Sequence, residues 1–162
     1  VVPEVVLAEG GKIVVSRVGH TFVKAAMAEH NAIFGGEHSA HYYFRDFWGA
    51  DTGMLAAFHV LAAAGHSDRP LSELVARFDR YAASGEINSL VSDQQMIMDR
   101  VAAAFAGRGE QDRLDGLTVS GPDWGVNVRP SNTEPLLRLN VEAANRETME
   151  ALRDETLGLI RA

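Results

Sequence analysis

Apolar and polar residues change period several times along this chain, and each change predicts a different element. Trp124, Val126 and Val128 alternate with Gly125, Asn127 and Arg129, and further on Leu137, Leu139 and Val141 alternate with Arg138, Asn140 and Glu142. A period of two marks strands with one buried face, so two strands are predicted on either side of a polar loop at 129–135. Residues 117–119 pair with 124–128 as a predicted hairpin around Gly121-Pro122-Asp123. Residues 86–91 also read as a strand. Helices are predicted from Ser92 or Asp93 as cap to about residue 106, and over 146–160.

The first half alternates helical and strand signals. Val5, Val6 and Leu7 predict a short helix ending at Gly10-Gly11, and residues 12–16 read as a buried strand. Phe22, Val23, Ala26 and Met27 share one helical face within 21–30, with Asn31 as the stop. Residues 32–34 predict a short buried strand leading into Gly35-Gly36. Asp51 or Thr52 can cap a helix over 53–64 closed by Gly65, and Leu71, Leu74, Val75, Phe78 and Tyr81 form the stripe of another over 70–82, with Pro70 in its first turn. Ser84-Gly85 breaks that pattern. The predicted fold class is α/β: a mixed α/β sheet domain over 1–83, its alternating elements fitting a parallel or mixed sheet covered by helices, then a small α+β domain over 84–162 with helices on an antiparallel sheet.

Composition narrows the function. Apolar residues make up 46% of the 162 residues, enough for a true core, and the net charge is −7 without a basic stripe, which argues against nucleic acid as a partner. There is no cysteine, which removes disulfides, thiolate metal sites and a cysteine nucleophile and fits a reducing cytoplasm. No apolar run approaches a membrane span, so no membrane partner is expected. The chain opens on Val1-Val2-Pro3, which reads like the interior of a longer protein.

Two polar loops carry the candidate chemistry. Arg129-Pro130-Ser131-Asn132-Thr133-Glu134-Pro135 puts a forked cation, two hydroxyls and an amide on one turn bracketed by prolines. That inventory suits a phosphate ester, because guanidinium binds phosphate oxygens bidentately and hydroxyl, amide and backbone N–H groups add donors. Ser131-x-x-Glu134 also matches a helix capping box, but a strand pattern follows it. Gly35-Gly36-Glu37-His38-Ser39-Ala40-His41 brings a carboxylate, a hydroxyl and imidazoles to one loop. Glu37 can accept from adjacent sugar hydroxyls, and His41 can move a proton near neutral pH. A metal site of Glu37, His38 and His41 competes with this reading, although the metalloprotease order H-E-x-x-H on a helix is absent. A purely structural polar loop is the other alternative. His20 lies at another element junction and can face the same ligand or act as a cap. Trp48 and Trp124 are most simply packing residues. His30 and His66 sit at helix ends.

Together these loops resemble those of the α-D-phosphohexomutase family, in particular its bacterial phosphomannomutase/phosphoglucomutase members. Gly36-Glu37-His38-Ser39-Ala40-His41 is similar to the family's Gly-Glu-x-Ser-Gly-His sugar loop in the third domain, with Ala40 in place of Gly. Arg129, Ser131, Asn132, Thr133 and Pro135 match the Arg-x-Ser-Asn-Thr-x-Pro phosphate loop of the fourth domain, and Gly19-His20 matches an upstream Gly-His pair. The resemblance implies the substrate-binding half of an isomerase that interconverts hexose 1-phosphate and hexose 6-phosphate of mannose or glucose through a phosphoserine and a bisphosphate intermediate. It implies Glu37, Ser39, His20, Arg129, Ser131, Asn132 and Thr133 as substrate-binding residues, with His41 or His20 moving protons. The family's phosphoserine loop and its Asp-x-Asp-x-Asp magnesium loop have no match here. Mg2+ is therefore expected only in the full-length enzyme, no metal is expected in this chain, and the missing N-terminal domains are the expected partner. The chain alone is expected to lack turnover. A stand-alone phosphosugar-binding module is the rival class.

Overall fold

The computed structural model describes residues 1–131 and 133–162. They form two compact units, Val1–Asp79 and Arg80–Ala162.

The first unit opens with α1 (Val2–Ala8), which has Pro3 in its first turn, where a missing N–H costs nothing. α2 (His20–His30) ends at Asn31 in the left-handed region (φ 49°), as the stop signal predicts. β1 (Phe34–Gly36), β2 (Tyr42–Phe44) and β3 (Ala50–Asp51) form a three-stranded antiparallel sheet, and a 3₁₀ turn at Arg45–Phe47 joins the last two. α3 (Gly53–Gly65) is capped by Thr52, whose hydroxyl accepts from Leu55 N–H at 3.2 Å, and α4 (Leu71–Ala76) follows. The core of this unit is Val23, Met27 and Tyr43, with Ala32 against it. α2 lies directly on the β1 backbone: a Cβ on Gly35 would stand 2.7 Å from Met27 Sδ and 2.8 Å from Val23 Cγ1. Only glycine allows that approach.

Several expectations for this unit need correction. Residues 12–16 form no strand, and Val14 and Val15 are 45% and 71% exposed. β-Branched residues favour extended backbone, but a strand also needs a partner to pair with, and residues 12–16 pair with none of the described strands. β1 starts two residues later than the predicted strand at 32–34 and is not buried; Phe34 is 48% exposed, stacks on the Tyr42 ring and meets the Phe44 ring edge to face. The helix predicted over 70–82 is six residues long, with Pro70 as its N-cap and none of its residues buried. Trp48 is not a core residue: it is 85% exposed, at φ 55°. No parallel pairing occurs among the described strands.

The second unit follows its sequence pattern apart from two short strands, at 82–83 and 110–112, that the pattern does not announce. β4 (Ala82–Ala83), β5 (Ile87–Leu90), β6 (Glu110–Asp112), β7 (Leu117–Ser120), β8 (Trp124–Pro130) and β9 (Leu136–Ala143) make one antiparallel sheet ordered β4-β9-β8-β7-β6. β5 also pairs with β9, so β4 and β5 lie along the same strand with a break at residues 84–86. The Ser84 hydroxyl accepts from Val141 N–H at 2.9 Å, and Ser84 N–H donates to Val141 C=O at 2.9 Å, which keeps β9 satisfied across the break. α5 (Gln94–Ala104) and α6 (Arg146–Arg161) cover one face of the sheet. Asp93 and Asn145 cap them, accepting from Met96 N–H and Thr148 N–H at 2.9 Å each. The alternating residues Val126, Val128, Leu137, Leu139 and Val141 meet Val101, Phe105, Met149 and Leu152 in the core. Trp124 packs against the same cluster, as expected for a hairpin residue.

Candidate functional site

The first loop is the β1–β2 hairpin connection. Gly36 pairs with Tyr42, and residues 37–41 turn between them. Glu37 N–H donates to His41 C=O and Ala40 N–H to Glu37 C=O, both at 3.0 Å, and Ala40 takes up φ 65°. Glu37 turns inward. Its Oε1 accepts from Gly19 N–H at 2.9 Å and its Oε2 from the Tyr43 hydroxyl at 2.5 Å. Tyr43 is fully buried, and burial first, then the Glu37 hydrogen bond and charge, push its phenol far above its ordinary value. The neutral phenol is therefore a fixed donor to Glu37. A carboxylate oxygen accepts more than one hydrogen bond, so Glu37 keeps acceptor capacity for a ligand while its orientation is set from behind.

His41 faces elsewhere. Its Nδ1 lies 2.9 Å from Ser39 Oγ, and its Nε2 lies 3.8 Å from Asp51 Oδ2, within ion-pair range but beyond a hydrogen bond. Asp51 is itself held by Tyr42 N–H at 3.0 Å. The Gly19 contact to Glu37 brings the start of α2, and so His20, beside this loop; His20 is exposed. Glu37, His38 and His41 do not form a ligand set: among the described residues no three His, Asp or Glu side chains gather around one point.

The second loop joins β8 to β9, as the alternation predicts. A strand follows it, so Ser131 is no helix cap. Ser131 N–H donates to Leu136 C=O at 3.0 Å and Leu136 N–H to Glu134 C=O at 2.8 Å. Ser131 is buried, and its Oγ lies 3.5 Å from Thr133 Oγ1 and accepts from Thr133 N–H at 3.4 Å. The two hydroxyls thus sit side by side. Asn132, expected between them as a further donor, lies outside the described residues. Arg129 stands at the loop entrance, mostly buried, and its Nη2 donates to Glu86 Oε2 at 3.0 Å.

Two residues of this site carry no motif. Gln94, at the start of α5, donates from Nε2 to Leu136 C=O at 2.8 Å, Glu134 C=O at 3.3 Å and Ser131 C=O at 3.5 Å, tying the helix to the loop. Glu86 binds Arg129 and also accepts from Arg138 Nη1 at 3.1 Å. Neither is visible in sequence, because each reaches the loop from about forty residues away. Gly116 adds a backbone constraint: at φ 75°, its Cβ position would lie 2.4 Å from Val128 C=O and 2.6 Å from Arg129 Cα. A side chain there would push Arg129 out of place.

These features define a mixed α/β protein that presents one carboxylate–imidazole hairpin loop and one arginine–hydroxyl hairpin loop on separate units. A family model described as phosphoglucomutase/phosphomannomutase, alpha/beta/alpha domain III, matches residues 1–81, and the C-terminal domain of the same family matches residues 86–159. The chain belongs to the phosphoglucomutase/phosphomannomutase family. A phosphomannomutase of Methanocaldococcus jannaschii is 41% identical over 160 residues, covering 99% of this chain and 35% of that protein. A phosphomannomutase of Salmonella montevideo is 45% identical over 161 residues, covering 98% and 35%. The crystal structure of a phosphoglucomutase/phosphomannomutase family protein from Burkholderia thailandensis matches with a TM-score of 0.84 at 26% identity, over 99% of this chain and 34% of that one. The chain thus spans about a third of the length of the relatives it matches.

Proposed function

We propose that this chain is the substrate-binding half of a phosphomannomutase/phosphoglucomutase, an isomerase that moves a phosphoryl group between the 1- and 6-positions of a hexose. The observation that carries the reading is the β8–β9 loop of a chain of this family, with Arg129 at its entrance and the hydroxyls of Ser131 and Thr133 side by side within it. In this proposal Arg129, Ser131, Asn132 and Thr133 grip the phosphate that is not reacting. Glu37 and Ser39 hold sugar hydroxyls, and His41, with His20 beside the loop, holds or moves a proton. Binding the remote phosphate positions the reacting end of the sugar, so its binding energy is spent on orientation.

Among the described residues no three acidic or imidazole side chains gather around one point. In the proposal the magnesium and the phosphoserine belong to the missing N-terminal domains, which are the chain's natural partner. A cytoplasmic location is proposed from the absence of cysteine; among the described residues no helix is long and apolar enough to cross a membrane.

Calorimetric titration of the chain with mannose 1-phosphate tests the reading. Charge-assisted contacts are each worth roughly 1.5–3 kcal/mol, so Arg129→Ala is expected to weaken binding by about ten- to 150-fold. Equal affinity in the variant and the parent would refute it. The chain alone is expected to show no mutase turnover, and turnover by the pure chain would overturn the assignment of the nucleophile to other domains.

A further inference from the structure

The pairing register of β8 and β9 sets Arg129 directly opposite Arg138. Two like charges at facing positions of an antiparallel pair repel, and the arrangement needs a counter-charge. Glu86 supplies it. It sits in the break between β4 and β5, at the edge of β9, and each of its oxygens accepts from a different guanidinium: Oε2 from Arg129 at 3.0 Å and Oε1 from Arg138 at 3.1 Å. The three side chains are 20–30% exposed, so solvent screens the network only partly. Gly85, at φ 67°, lets the chain turn so that Glu86 reaches across.

We propose that Glu86 is a positioning residue that aims Arg129 at the anion bound by the β8–β9 loop. This rests on the phosphate-binding role proposed above. Glu86 engages one Nη group of Arg129, and no other hydrogen bond of that guanidinium occurs among the described residues. Among the described residues the rest of the fork is left to two phosphate oxygens, the bidentate geometry guanidinium favours. Arg138 balances Glu86, so the three groups together keep one net positive charge at the loop entrance. Without Glu86, Arg129 and Arg138 repel and the fork loses its fixed direction.

The sign of the effect separates positioning from simple electrostatics. Removing a carboxylate near an anion site raises anion affinity if only charge matters, whereas loss of a positioning group lowers it. The test titrates the chain with inorganic phosphate. Glu86→Gln keeps the shape and one acceptor oxygen, and Glu86→Ala removes both. Each is expected to weaken phosphate binding, with Glu86→Ala about tenfold weaker than the parent. In an Arg129→Lys background, which has no fork to aim, Glu86→Ala is expected to change affinity less than about twofold. Unchanged or tighter binding in the Glu86 variants overturns the proposal, as does an equal loss in both backgrounds, which indicates a general structural defect. A parent chain that fails to bind phosphate refutes the binding role itself and this inference with it. A readout without ligand stands beside these: the Arg129 side-chain N–H resonance should be sharp in the parent and broadened in Glu86→Gln, and a mobile Arg129 in the parent overturns the proposal whatever the titration shows.

Discussion

At the residue scale, two side chains show how the first loop is set. Ala40 adopts φ 65°, where a Cβ crowds the following carbonyl. Ala40→Gly is expected to relieve this, with glycine's larger unfolded-state entropy offsetting part of the gain, so a net stabilisation of up to about 1 kcal/mol should appear in urea melts. A loss of stability would show that the loop geometry is different. Tyr43 is the second. The fold favours its neutral phenol over the phenolate, so its contribution is complete below its ordinary value of 10.0 and is lost as pH rises above that value. Tyr43→Phe should therefore flatten the alkaline limb of the stability profile above about pH 10. An alkaline limb unchanged in the variant would mean that Tyr43 does not couple folding to pH. The partners of Glu37 were not legible in sequence: Gly19 N–H and Tyr43 Oη meet it through folding, and nothing in the spacing of residues 19, 37 and 43 announces that convergence.

At the element scale, the second unit is nearly all legible. β7, β8 and β9 alternate with a period of two, and Asp93 and Asn145 fall where caps are needed, so local pattern and tertiary packing agree there; β6 is exposed at every residue and carries no such signal. The first unit is less so. Residues 12–16 have strand composition and no strand partner among the described residues, while α3 is apolar on nearly every side and buries no residue, so no stripe orients it. The Gln94 link between α5 and the β8–β9 loop is invisible to pattern, since a glutamine at the start of a helix looks like any polar surface residue. Its role is checkable. Gln94→Ala leaves three loop carbonyls without their side-chain donor, and the Ser131 and Leu136 amides are expected to exchange hydrogen faster while α5, still capped by Asp93, stays protected. Unchanged loop exchange would make the link incidental.

At the scale of the whole chain, the two units differ in how much core they own. The second surrounds Val101, Phe105, Leu139 and Val141 with a continuous cluster, whereas the first closes on Val23, Met27 and Tyr43 and leaves Met54, Phe58 and Leu61 more than half exposed. Protection from hydrogen exchange follows buried contacts, so amides of β8, β9 and α5 should be the slowest and those of α3 and α4 the fastest among the helices and strands. Truncating the stronger core has a calculable cost: Leu139→Ala removes a fully buried side chain and should destabilise the second unit by about 2–5 kcal/mol in urea titration. In the proposed reading the β8–β9 loop is an anion site and the β1–β2 loop a sugar site, in a chain that belongs to the phosphoglucomutase/phosphomannomutase family. The most direct test of that claim is a titration of the isotope-labelled chain with mannose 1-phosphate, followed by amide shifts. The account predicts saturable shifts at residues 37–41 and 129–133 that vanish in Arg129→Ala; an absence of shifts at both loops with millimolar ligand would contradict it.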